Sequence, residues 1–272
     1  MEAVVKSPCE AVISAASHIL EHGQEIAPRG FKTKEILNFT VQINEPTRLP
    51  LVVPGRGLND FIGAAEAVQL IGQFSDPDWM VSVVEAFDQF RDGNILWGAY
   101  GPRVYGMIDE IVKLLRDDPS SRQAVLSIFH APTDLGRGKK DTPCTLTLQF
   151  LLRDGYLHGR GSMRSNDVWL GLPYDLVQFI SITGAIAAAL DVNVGTYTHT
   201  VGSMHVYERH YKVLEDLISY EPDDFEIHES LFTNRPIEEI TRDCRLMVTN
   251  PDQVDESILS DYEKWLMEAV NP

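Results

Sequence analysis

The stretch LVQFISITGAIAAAL, residues 176–190, carries no charge. Its apolar side chains run nearly all the way round a helix, so that helix must be buried on most sides. Such a helix needs other layers packed about it. PCTLTLQFLL (143–152), Arg153-Asp154-Gly155 and YLHGRGSMRS (156–165) supply one, reading as a long β-hairpin with an Asp-Gly turn. Strand alternation predicts Cys144, Leu146, Leu148 and Phe150 on one face, and Thr145, Thr147 and Gln149 on the other. Beyond the helix, TYTHTVGS (196–203) reads as a strand or edge segment. The next residues, MHVYERHYKVLEDLI (204–218), read as the start of another helix.

Upstream, residues 8–22, 59–73, 78–91 and 105–117 have helical periodicity, and Asp118-Pro119 stops the last of these. ILNFTVQI (36–43) and QAVLSIFH (123–130) suit buried strands. Helices and strands mix without regular βαβ alternation, which points to an α+β fold. The chain has no repeat, low-complexity tract or long Gly/Ser linker, so residues 1–272 are expected to form a single domain.

The formal net charge of −17 argues against a nucleic acid polymer as partner, and the acidic segment 215–229 reads as a solvated surface. No run of eighteen apolar residues suggests a membrane span. The N-terminal stretch lacks the pattern of a signal peptide, so a cytoplasmic protein is expected. Cys9, Cys144 and Cys244 are widely spaced with no CxxC pair, which speaks against a disulfide framework and against a cysteine-built zinc site. No metal is expected.

Four stretches place polar and reactive groups in apolar surroundings: Pro143-Cys144-Thr145, Met163-Arg164-Ser165-Asn166-Asp167, Gly171-Leu172-Pro173-Tyr174-Asp175, and Gly202-Ser203-Met204-His205-Val206-Tyr207. In this order and spacing the chain resembles the thymidylate synthase family from about Arg29 to Tyr211. The resemblance implies a mixed β-sheet packed with helices, with one sheet face forming a homodimer interface. It implies a pyrimidine nucleoside monophosphate as substrate and 5,10-methylenetetrahydrofolate as co-substrate.

Roles follow from the resemblance position by position. Cys144 is the nucleophile that adds to C6 of the pyrimidine, making C5 nucleophilic toward the folate's one-carbon unit. Nearby arginines are expected to lower its thiol pKa. Arg29, Arg164 and Ser165 match the phosphate site, and Arg suits phosphate through its planar fork of donors. Arg122 matches the first of an arginine pair given by the partner subunit; the second is Gln123 here. His205 and Tyr207 match the pair that binds the sugar 3′-hydroxyl. Glu66 matches the acid/base glutamate and Tyr100 the tyrosine near the C5 proton. Asp167 matches the carboxylate that binds the pterin, and Gly171 the glycine where backbone lies close to the base.

Asp175 departs from the asparagine of thymidylate synthases. An amide both donates and accepts, whereas a carboxylate only accepts. Cytosine presents an amino donor at position 4, so Asp175 points to a cytosine nucleotide, with dCMP favoured; the alternative is that Asp175 simply caps the helix. Mismatched polar groups at such a site can discriminate by up to ~10⁴-fold. Thr145 stands where the family's synthases have histidine, and Met163 where they have glutamine. These changes look like the deoxycytidylate hydroxymethylase branch, in which water rather than hydride captures the C5 methylene, giving 5-hydroxymethyl-dCMP and tetrahydrofolate. Alternatives are an ordinary thymidylate synthase acting on dUMP, a dCMP or CMP methyltransferase, a CMP hydroxymethylase, and a catalytically inactive binding relative.

Overall fold

The computed structural model describes residues 2–220 and 227–272. Part of the acidic segment 215–229 therefore lies outside the described residues. The elements are β1 (Glu2–Val5), α1 (Pro8–His22), β2 (Gln24–Ile26), β3 (Thr33–Ile43), α2 (Asp60–Ile71), α3 (Pro77–Val83), β4 (Arg91–Asp92) and β5 (Ile95–Leu96). Then come α4 (Met107–Asp117), β6 (Val125–Ser127), α5 (Ala131–Asp134), β7 (Thr145–Arg153), β8 (Tyr156–Asp167), α6 (Leu172–Leu190), β9 (Asn193–Tyr207), α7 (Tyr211–Leu217), α8 (Ile237–Thr249) and α9 (Asp261–Val270).

The main sheet runs β1-β3-β9-β8-β7-β6, with β2 added beside β3. It is mixed. β1 pairs parallel with β3, and β8 parallel with β9; the other pairs are antiparallel. Both parallel pairs are made by helical crossovers, α1 and α6, as parallel pairing requires. α6 is long and apolar enough to cross a membrane by length and composition. Here it is the core helix, buried from Leu176 through Ala189 and packed on β8, β9 and α2.

Several expectations change in detail. Alternation along β7 fails at its start: Thr145 and Leu148 are buried together because a bulge lies between Thr145 and Thr147. The extra residue turns Thr145 inward, onto the face of Leu148 and Phe150. The segment 78–91 is not one helix. α3 ends at Val83, Val84 leaves helical geometry (φ −129°, ψ 90°), and Glu85–Phe90 is a 3₁₀ turn. α4 starts two residues later than expected, after Gly106 at φ 72°. Only Val125–Ser127 of 123–130 pairs as strand. The segment 196–203 is no edge: β9 lies between β3 and β8 and continues to Tyr207, so His205 and Tyr207 sit on a strand, and the helix starts at Tyr211.

Candidate active site

Cys144 immediately precedes β7, and its carbonyl accepts from the Arg164 backbone N–H at 2.8 Å. The Arg164 guanidinium folds back onto the same lead-in: Nε donates to the Pro143 carbonyl (2.9 Å) and one terminal nitrogen to that of Thr142 (2.8 Å). Arg164 thus fixes the backbone of Cys144 as well as placing positive charge beside the sulfur. Arg29 approaches from the exposed turn Pro28–Gly30, with left-handed backbone at φ 56°.

The thiol does not have the lowered pKa expected for it. Burial pushes Cys144 up to about 11; Arg164 and Arg29 pull it down, but Asp175 and Asp141 push it up. The unliganded chain therefore carries a thiol, and a thiol that is to attack must first give up its proton.

Two carboxyls belong to the same group. Glu66 projects from the largely apolar α2, and burial together with Asp175 and Asp141 raises its pKa to about 8. Burial raises Asp175 to about 7 against the pull of a hydrogen bond from Asn166. Both are poised near neutrality, as acid–base groups of an active site are. Asp175 does not cap its helix. Gly171 holds the N-cap position, and the Asp175 N–H already bonds to the Gly171 carbonyl at 3.0 Å. Its carboxylate instead accepts from Asn166 Nδ2 at 3.1 Å.

Tyr100 completes this group. Its hydroxyl accepts from Thr145 Oγ1 at 3.0 Å, and its ring stacks on Phe179, 6.1 Å between centroids. Burial holds it as a neutral phenol.

The parallel β8–β9 register sets Ser165 beside Ser203 and Asp167 beside His205. Ser165 Oγ lies 3.4 Å from His205 Nδ1, and the His205 and Tyr207 rings meet edge-on at 5.5 Å. Arg209 lies over the Tyr207 ring at 4.8 Å, a further cation near the expected sugar and phosphate contacts. Asp167 accepts through Oδ1 from the N–H groups of Trp169 and Leu170, both at 2.8 Å. Its Oδ2 is buried without a partner. A buried carboxylate oxygen calls for a donor, and the ring N–H and amino groups of a pterin are of that kind. The folate thus fits the residues present. Gly171 is needed close by: a Cβ there would come within 3.0 Å of Asn166 Oδ1 and 3.4 Å of Asp175 Oδ2.

The structure therefore gathers Cys144, Glu66, Tyr100, Arg29, Arg164 and Asp175 into one electrostatically coupled group, with Ser165, Asp167, His205 and Tyr207 along the neighbouring strand ends. Arg122 is apart. It is exposed, and no hydrogen bond or ion pair ties its side chain to the group among the described residues. Sequence reasoning missed Asn166, His199, Tyr197 and Asp141. Asn166 fills the variable slot of the Arg-Ser-x-Asp motif, and no periodic signal marks the others.

The profile of the thymidylate synthase family matches residues 85–246. The chain is 31% identical over 230 residues to the deoxyuridylate hydroxymethyltransferase of Bacillus phage SP01, covering 77% of this chain and 60% of that protein. It is 28% identical over 155 residues to the bifunctional dihydrofolate reductase-thymidylate synthase of Zea mays, 57% of this chain and 29% of that one. It thus spans less than two thirds of the length of these curated relatives. The fold matches that of thermostable thymidylate synthase A from Bacillus subtilis with a TM-score of 0.69 at 20% identity, over 80% of this chain and 86% of that one. Its mixed sheet, the Cys144 group and these similarities place the chain in the thymidylate synthase family.

Proposed function

We propose that this chain, as a single catalytic domain, transfers a one-carbon unit from 5,10-methylenetetrahydrofolate to C5 of a cytosine nucleotide, with dCMP favoured, and that water completes the product as 5-hydroxymethyl-dCMP. The observation that carries the reading is Asp175, a carboxylate in the nucleophile's electrostatic reach, accepting from Asn166. An ionised Asp175 accepts from the cytosine amino group and from N3–H, and its charge favours the protonated ring that thiolate addition requires.

Cys144 Sγ forms the bond to C6 while its proton passes to a neighbouring base. The folate, held by Asp167 near Gly171, supplies a carbon at the oxidation level of formaldehyde. Glu66, near neutrality in its pKa, moves protons at the ring's position 4. The Tyr100 hydroxyl stands by to take part in removing the C5 proton, oriented by Thr145. Arg29, Arg164 and Ser165 bind phosphate, and His205 with Tyr207 the sugar hydroxyl. Arg122 serves the site of a second copy in a homodimer. The reading places the protein in the cytoplasm.

A second reading is 5-hydroxymethylation of dUMP. The phage relative is named for deoxyuridylate. A protonated Asp175 donates to uracil O4 and accepts from N3–H much as an amide does, and its pKa of about 7 makes that form accessible.

The test is to give the purified protein dCMP or dUMP with 5,10-methylenetetrahydrofolate, identify products by mass and follow dihydrofolate absorbance. 5-Hydroxymethyl-dCMP without dihydrofolate is expected. Faster turnover of dUMP establishes the second reading, and a stoichiometric rise in dihydrofolate overturns hydroxymethylation. Tritium released from 5-tritiated dCMP, and absent in Cys144→Ala, is expected; no release from either nucleotide excludes the chemistry altogether.

A further inference from the structure

Asn166 lies on β8 beneath Asp175, 3% exposed. Its amide nitrogen is 3.1 Å from Asp175 Oδ2, 3.1 Å from His199 Nε2 and 2.8 Å from Met163 Sδ. His199 is fully buried on β9, and its other ring nitrogen is 3.1 Å from the Tyr197 hydroxyl. Asn166 Oδ1 is buried without a partner.

These contacts constrain each other. Burial keeps His199 neutral, so its ring has one donor and one acceptor. With Nε2 as acceptor, Nδ1–H donates to the Tyr197 oxygen, and the two amide hydrogens of Asn166 are shared among three acceptors, His199 Nε2, Asp175 Oδ2 and the weaker Met163 Sδ. Turning the amide over would set Oδ1 against the carboxylate and against Nε2, two acceptors facing an acceptor. The Nε2-acceptor tautomer of His199 and an ionised Asp175 therefore select the same end of Asn166. Met163 caps the arrangement with a soft acceptor, and no other described hydrogen bond reaches the Asp175 carboxylate.

We propose that Asn166, oriented by His199 and Tyr197, is a positioning residue for base choice: its amide hydrogen holds Asp175 as an ionised acceptor and so favours cytosine over uracil. This rests on Asp175 reading the base. Without the donor, burial acts on Asp175 alone. The titratable groups that face it, Glu66 from α2, Cys144 before β7 and the Tyr100 and Tyr197 phenols, are held in their neutral forms near pH 7 and supply no positive charge to offset burial. Burial favours the protonated carboxyl, which presents a donor to uracil O4.

The experiment compares kcat/KM for dCMP and dUMP across pH in Asn166→Ala, Asn166→Ser, His199→Phe and Asp175→Asn. Asn166→Ala is expected to lower the dCMP/dUMP ratio about tenfold, the worth of a charge-assisted hydrogen bond, and to move the acidic limb of the dCMP profile to higher pH. Asn166→Ser, which keeps a donor, is expected to recover most of the ratio. His199→Phe, which removes the orienting acceptor without touching Asp175, is expected to shift the ratio in the same direction by less. A parallel loss for both nucleotides with an unmoved pH limb, in Asn166→Ala or, should that variant not fold, in His199→Phe, would overturn the proposal. An unchanged ratio in Asp175→Asn defeats the base-reading assignment itself. A changed ratio there with none in the Asn166 and His199 variants defeats only the present one.

Discussion

Thr145 gives its hydroxyl proton to Tyr100 across 3.0 Å, from a strand position that plain alternation turns away from the core. Because Thr145 is the donor, the Tyr100 hydroxyl keeps its own proton for another acceptor. Thr145→Val keeps the shape and removes that donor. The fold is expected to lose about 1 kcal/mol, and kcat about tenfold with little change in KM. Tritium release measured at saturating nucleotide checks this; an equal loss in KM would mean that Tyr100 is not oriented by this bond.

The raised carboxyl of Glu66 ties stability to pH. Its folded pKa is about 8 against an ordinary 4.5, so across that window the folded chain holds a proton that the unfolded chain has lost. Stability therefore falls as pH rises through the window. Glu66→Gln is expected to flatten the fall and to stabilise the protein above about pH 8 by about 1–3 kcal/mol. Melting temperatures of both proteins across pH decide it, and identical slopes would refute the buried neutral carboxyl.

Cys144 should react with iodoacetamide as a high-pKa thiol. Its alkylation rate is expected to climb with pH toward a midpoint near 11, since only the thiolate attacks. Arg164→Met removes the larger of the two attractions on the thiolate and is expected to move the midpoint higher still. A midpoint below that of an ordinary cysteine would reverse the assignment.

Away from Cys144, Asp134 holds the loop that carries Trp97. Its carboxylate, fully enclosed, accepts from Arg103 (2.8 Å), the Trp97 indole (2.8 Å) and the His130 N–H (2.7 Å). Burial raises its pKa, but these bonds outweigh burial and hold it at about 2. Asp134→Ala leaves Arg103 without its partner and is expected to cost about 3–5 kcal/mol. Denaturant unfolding measures this; a cost below about 1 kcal/mol would show that the ion pair adds nothing.

The four motif stretches were legible in sequence because each couples reactive residues to an element's end, and the structure brings residues of all four together: one opens α6 and the other three lie on or just before β7, β8 and β9. The α6 helix was legible from its uncharged run. Less visible was anything depending on a neighbour in space. The bulge that turns Thr145 inward arises from pairing with β8, and local alternation carries no sign of it. His205 and Tyr207 look like a helix start because the following residues are helical, yet pairing with β3 and β8 keeps β9 extended to Tyr207. His199 gave no signal, since a buried histidine on a strand has the sequence pattern of any core residue. The thiol pKa was misjudged because arginines are visible in sequence, whereas desolvation and opposing carboxyls are properties of packing.

The end of β8 divides its labour between its two sides. Arg164 is exposed and Ser165 and Asp167 are half-buried, while Asn166 is turned into the core beneath Asp175. On the roles proposed above, a lineage can alter the residue under the base without disturbing the neighbours assigned to phosphate, sugar and folate. On that reading, base preference on this scaffold is separable from the rest of substrate recognition, and drifts by single replacements while the handling of every other part of the nucleotide stays inherited.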